Sequence, residues 1–228
     1  MSRFKFLLIL MVVIFAGSCN SGEQTGSKSP LSPVKDTLQL NTSSHKKTIL
    51  FFGNSLTAGY GLLPSQSFPT LIQDKIDSLK LPYKVINAGV SGETTSGGVG
   101  RIDWILSQHV DVFVLELGGN DGLRGIPLSV TKKNLQLLIN KVKEKYPHAA
   151  IVLAGMQIPP NLGQSYTSQF KDLYPELAKA NHVYLIPFLL KGVGGDPSLN
   201  QKDEIHPNAE GAKIVAENVW DILKGICQ

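Results

Sequence analysis

Short apolar runs alternate with amphipathic stretches along most of this chain. Residues 48–52 read Thr-Ile-Leu-Phe-Phe with no polar break after the threonine and stop at Gly53, the pattern of a strand buried on both faces. Residues 67–81 then place Phe68, Leu71, Ile72, Ile76 and Leu79 at helical spacing, and Pro82 closes the pattern. The alternation continues with strands at 84–87, 110–117, 149–154 and 183–186. Helices fall between them: one carries Ile102, Ile105 and Leu106 after the glycine-rich residues 89–100, a second spans 129–146, a third about 165–179, and a last one 209–223. The stripe Val130, Leu135, Leu138, Ile139 and Val142 marks the second, and Pro147 ends it. Strands separated by helical segments predict a five-stranded parallel sheet with right-handed crossovers, a three-layer α/β/α sandwich. The chain has no internal repeat.

Before residue 48 the pattern changes. Arg3 and Lys5 precede an apolar run at 6–16 and small residues up to Cys19, which predicts a signal peptide over 1–18 with a core too short to span a bilayer. Ala16-Gly17-Ser18-Cys19 resembles the lipobox of bacterial lipoproteins, with Ala16 where a larger aliphatic residue is usual. That resemblance implies a lipid on Cys19 and a place in the bacterial cell envelope, on the periplasmic or outer-membrane side. Residues 19–47 are rich in Ser, Gly, Thr, Lys and Pro and read as a flexible tether to a domain at 48–228.

At 228 residues, with 42% hydrophobic and 18% charged, the chain has room for one domain and a tail. Its net charge of +4 drops to about +2 when Arg3 and Lys5 leave with the signal, too little to argue for nucleic acid. Cys227, the other cysteine, lies near the C-terminus, and no structural disulfide is expected.

Chemistry enters at the carboxyl edge, where open parallel sheets bind their ligands. Ser55 is the first nucleophile after the first strand. A serine hydroxyl needs a base to take its proton and a carboxylate to orient that base. Asp203-Glu204-Ile205-His206 offers both within one turn. His109, His148 and His182 each precede a predicted strand and so fall at the opposite edge, while His45 lies in the tether, which leaves His206. Glu116, inside the third strand, reads as a structural carboxylate, and Asp121 as a brace for its loop. Asp203 and His206 would be only two ligands for a metal, so no metal or cofactor is expected.

Four segments then resemble, in order, the conserved blocks of the SGNH (GDSL-type) hydrolases: Gly53-Asn54-Ser55-Leu56, Asn87-Ala88-Gly89-Val90-Ser91-Gly92-Glu93-Thr94, Leu117-Gly118-Gly119-Asn120-Asp121-Gly122, and Asp203-x-x-His206-Pro207. The match is nearest to the arylesterase, thioesterase I and lysophospholipase L1 group, notably through Gly118–Gly125. It implies the flavodoxin-like SGNH fold, a triad of Ser55, Asp203 and His206, and an oxyanion hole from the backbone N–H groups of Ser55 and Gly92 and the side-chain amide of Asn120. Asn54 departs from the family's aspartate, and an Asn54→Asp change is expected to keep esterase activity. Gly89-Val90-Ser91-Gly92-Glu93 approaches a nucleophile elbow but has Glu93 in place of the last glycine, and the stretch after Gly92 lacks the lysine of a phosphate-binding loop.

The expected function is a serine esterase acting on short to medium acyl esters of aryl ester, lysophospholipid or thioester type, with residues 156–163 forming an apolar wall for the acyl chain. Export argues against cytosolic acyl-CoA as its natural substrate. The alternatives are a carbohydrate O-deacetylase on the same fold and a noncatalytic envelope lipoprotein that binds ligands.

Overall fold

The computed structural model describes residues 46–228. The expected signal peptide, Cys19, His45 and nearly all of the tether lie outside the described residues.

Five parallel strands form the middle layer: β1 (Lys47–Gly53), β2 (Tyr83–Gly89), β3 (Val112–Glu116), β4 (Ala150–Ala154) and β5 (Tyr184–Ile186), in the spatial order β2-β1-β3-β4-β5. Ile49, Leu50, Phe51 and Phe52 of β1 are wholly buried, because neighbouring side chains on a strand point to opposite faces and both faces here are covered. Phe51 meets Phe68 of helix α2 (Phe68–Ser78) edge to face, with centroids 5.5 Å apart. Phe52 points the other way, onto Phe113 of β3 and against helix α3 (Thr95–Ile105). Two adjacent residues therefore bond one helix layer to each face of the sheet.

On the α2 side lies the C-terminal helix α7 (Ala209–Leu223). On the α3 side lie α5 (Leu128–Lys145) and α6 (Gln164–Asn181). Two short helices complete the set: α1 (Ser55–Ala58) directly after β1, and α4 (Gly119–Leu123) directly after β3. Both are shorter than the repeat that hydrophobic periodicity needs, so the sequence pattern does not show them. Helix α3 begins inside the glycine-rich stretch, seven residues before the first apolar position of its stripe, because Asp121 accepts from the Thr95 backbone N–H at 2.8 Å and the Thr94 hydroxyl from the Gly97 N–H at 3.3 Å. β3 is shorter than the apolar run 110–117 suggests, and β2 extends past Asn87 to Gly89.

The chain leaves β1 toward β2 on one side and returns to β3 on the other. A crevice consequently opens at the carboxyl ends of β1 and β3, where the strand order reverses.

Candidate active site

Ser55 sits at the start of α1 on that rim. Asn54 caps the helix, its side-chain oxygen accepting the Leu56 N–H at 2.9 Å, and Gly59 closes it in the left-handed region with φ of 75°. Beneath the cap, Glu116 from the end of β3 accepts three hydrogen bonds: from the Asn54 side-chain amide (2.7 Å), the Asn54 backbone N–H (3.1 Å) and the Thr57 hydroxyl (2.8 Å). Burial pushes the Glu116 carboxyl up to about 7, and the hydrogen bonds from Thr57 and Asn54 only partly offset it. The turn that presents Ser55 is thus built on one carboxylate from the neighbouring strand. This partnership is not legible in the sequence, since 62 residues separate Glu116 from Asn54 and no local pattern links them.

His206 arrives from the segment between β5 and α7. Its Nε2 lies 2.8 Å from Ser55 Oγ, and its Nδ1 lies 2.6 Å from Asp203 Oδ2. The second Asp203 oxygen accepts the backbone N–H groups of Ile205 (3.2 Å) and His206 (3.0 Å), so the carboxylate orients the ring and fixes the loop that bears it. Burial acts to raise the Asp203 carboxyl, but the hydrogen bonds from His206 and the two backbone donors outweigh it and hold the group below its ordinary value. A carboxylate on Nδ1 places the ring proton there and leaves Nε2 free to accept from the serine hydroxyl.

Gly92 and Asn120 face the same space as Ser55. Gly92 has φ of 78°, which suits a residue without a Cβ. Among the described residues neither the Ser55 nor the Gly92 backbone N–H has a hydrogen-bond acceptor. The Asn120 amide donates to the Glu93 carbonyl at 2.9 Å, which positions the side chain beside the loop that carries Gly92. That loop is anchored below by Arg101, which bonds both Glu93 oxygens (2.5 and 2.6 Å) and the Ala88 carbonyl (2.9 Å) with its guanidinium 4.0 Å above the Phe52 ring.

The serine opens into a cavity of about 520 Å³ walled by Met156, Ile158, Pro159, Pro160, Phe188 and Leu190. Ser91 also borders this space, but among the described residues the only imidazole there is bonded to Ser55. His109 pairs with Asp111 at 3.2 Å, at the amino edge with His148 and His182. Asp121 is fully buried and holds the start of α3 through Thr95. Cys227 is buried, and desolvation pushes its thiol up to about 11.

Residues 51–214 match the GDSL-like lipase/acylhydrolase family. The chain is 37% identical to esterase TesA of Pseudomonas aeruginosa over 186 residues, which covers 81% of this chain and 92% of that one. It is 39% identical to thioesterase 1/protease 1/lysophospholipase L1 of Escherichia coli K12 over 171 residues, 75% of this chain and 80% of the other. Its fold is similar to the crystal structure of the psychrotrophic esterase EstA from Pseudoalteromonas inhibited by monoethylphosphonate, with a TM-score of 0.75, 33% identity, and coverage of 79% of this chain and 98% of that one.

Proposed function

Because this chain belongs to the GDSL-like lipase/acylhydrolase family and is a carboxylic ester hydrolase, we propose that it cleaves short to medium acyl esters through an acyl-enzyme on Ser55. The observation that carries this reading is the unbroken series from Ser55 Oγ to His206 Nε2 and from His206 Nδ1 to Asp203.

As Oγ attacks the acyl carbonyl, its proton passes to His206 Nε2, and the Asp203 carboxylate steadies the imidazolium. The charge that grows on the carbonyl oxygen is met by the N–H groups of Ser55 and Gly92 and by the Asn120 amide. His206 then returns the proton to the leaving alcohol or thiol. Water, deprotonated by the same imidazole, attacks the acyl-enzyme and frees the acid and Ser55.

The apolar wall of the cavity suits an acyl chain and would leave a sugar-borne acetyl group largely without contacts, which favours an aryl ester, thioester or lysophospholipid over a glycan. On the strength of the N-terminal sequence, the enzyme is exported and held in the cell envelope by lipid on Cys19. Mass spectrometry of the mature N-terminus tests this, and an unmodified cut elsewhere would refute it.

The catalytic reading is tested with p-nitrophenyl acetate and butyrate and a fluorophosphonate probe. Wild type should hydrolyse both esters and carry the label on the Ser55 peptide. Ser55→Ala should lose the label and at least ~10⁴-fold of kcat. A label on Ser91, or a Ser55→Ala variant of undiminished rate, would overturn the assignment.

A further inference from the structure

Ser55 and His206 lie 151 residues apart in sequence, and the hydrogen bond between them is not the only link joining their segments. Gln201 begins the turn that carries Asp203 and His206. Its backbone N–H donates to the His206 carbonyl at 2.7 Å, and its own carbonyl accepts from the N–H of Glu204 at 2.9 Å, a residue held in the left-handed region with φ of 63°. Its side-chain nitrogen has two hydrogens and two acceptors. One is the Pro207 carbonyl at 3.0 Å, directly after the histidine; the other is the Tyr60 carbonyl at 2.6 Å, just beyond the helix that Ser55 starts. Tyr60 in turn lays its ring against the imidazole, with centroids 4.8 Å apart and planes tilted by 42°. Gly61 makes room for this contact, since a Cβ there would come within 2.1 Å of Gln201 Oε1.

The geometry points to Gln201 as a positioning residue for acyl transfer, acting through Tyr60: its amide fixes the Tyr60 segment to the His206 turn, so that the imidazole is held by Asp203 at one nitrogen, by Ser55 at the other and by the Tyr60 ring on its face. Gln201 does not border the cavity, whereas Tyr60 does. Loss of the amide should therefore degrade the alignment of base and nucleophile, on which rate depends steeply, and spare substrate binding.

This inference rests on the proposed Ser55 chemistry, and steady-state kinetics on p-nitrophenyl butyrate separates the two. The set is wild type, Gln201→Ala, Gln201→Glu, Tyr60→Leu and the Gln201→Ala/Tyr60→Leu pair, each with its Tm and with active enzyme counted by fluorophosphonate titration. Gln201→Ala should lower kcat per titrated site on the order of 10- to 100-fold with KM within about twofold. Gln201→Glu, which keeps the size but cannot donate, should be no better, and it carries the test if the alanine variant does not fold. In kcat the paired variant should be no worse than the more damaging single change, because both act along one route. An unchanged kcat in Gln201→Ala, full rescue by Gln201→Glu, or additive losses in the pair would each overturn the inference. A wild type without Ser55-dependent hydrolysis would instead overturn the proposed function.

Discussion

Asn54 stands where the Gly-Asp-Ser-Leu signature of the family has aspartate, and its amide donates to a carboxylate at 2.7 Å. An amide can do this at any pH. A carboxyl group in its place could do so only while protonated, since two like charges this close do not both ionise. Asn54→Asp should accordingly stay active near pH 6 and fall behind wild type as pH rises, by about tenfold once pH exceeds the pKa of the shared proton by one unit. The pH dependence of kcat/KM for the two proteins checks this, and parallel profiles would refute it. At this scale the sequence exposed those residues that family blocks or edge placement single out, Ser55, Asp203 and His206 among them. It did not expose Glu116 beneath Ser55 or Gln201 behind His206. They meet Asn54, Thr57 and Tyr60 from distant segments, and such contacts leave no periodicity or motif.

Helix α3 shows what the glycine-rich stretch is for. A Cβ on Gly98 would come within 2.5 Å of Leu117 Cδ1 and 3.1 Å of Phe52 Cε1, so the helix lies on the sheet at a distance that only glycine permits. Gly100, two residues on, would place a Cβ in open space. One substitution in one helix should thus have opposite signs. Gly98→Ala should destabilise by about 1–2 kcal/mol, the overpacking of buried Leu117 and Phe52 exceeding the gain in helix propensity. Gly100→Ala should stabilise by about 0.5–1 kcal/mol. Urea unfolding of both variants measures the contrast, and equal effects would mean that the contact with Leu117 relaxes freely. The main strands and the longer helices were legible because apolar runs and 3.6-residue stripes survive in them, and α1 and α4 were not, being too short to carry either. The start of α3 was hidden for another reason: it is set by Asp121 and Thr94, not by its apolar stripe.

For the molecule as a whole, the buried Glu116 carboxyl makes stability depend on pH. Its ordinary value of 4.5 applies to the unfolded chain, and burial takes it to about 7 in the folded one. Between these values the folded protein keeps a proton that the unfolded chain releases. Stability from this group is therefore complete at low pH, falls as pH rises toward 7, and is level above that, a loss on the order of 3 kcal/mol. Glu116→Gln should remove this slope. Urea unfolding from pH 4.5 to 8 tests it through the difference between the two proteins, and a difference that does not vary with pH would refute it.

The wide separation of Ser55 and His206 along the chain also has a temporal side. A ribosome completes the strand before Ser55 early and the turn that carries His206 only after about 150 further residues, since 151 positions separate the two. Until that later segment has emerged and docked, Ser55 has no imidazole beside it, so the proposed chemistry waits on the arrival of His206 during synthesis.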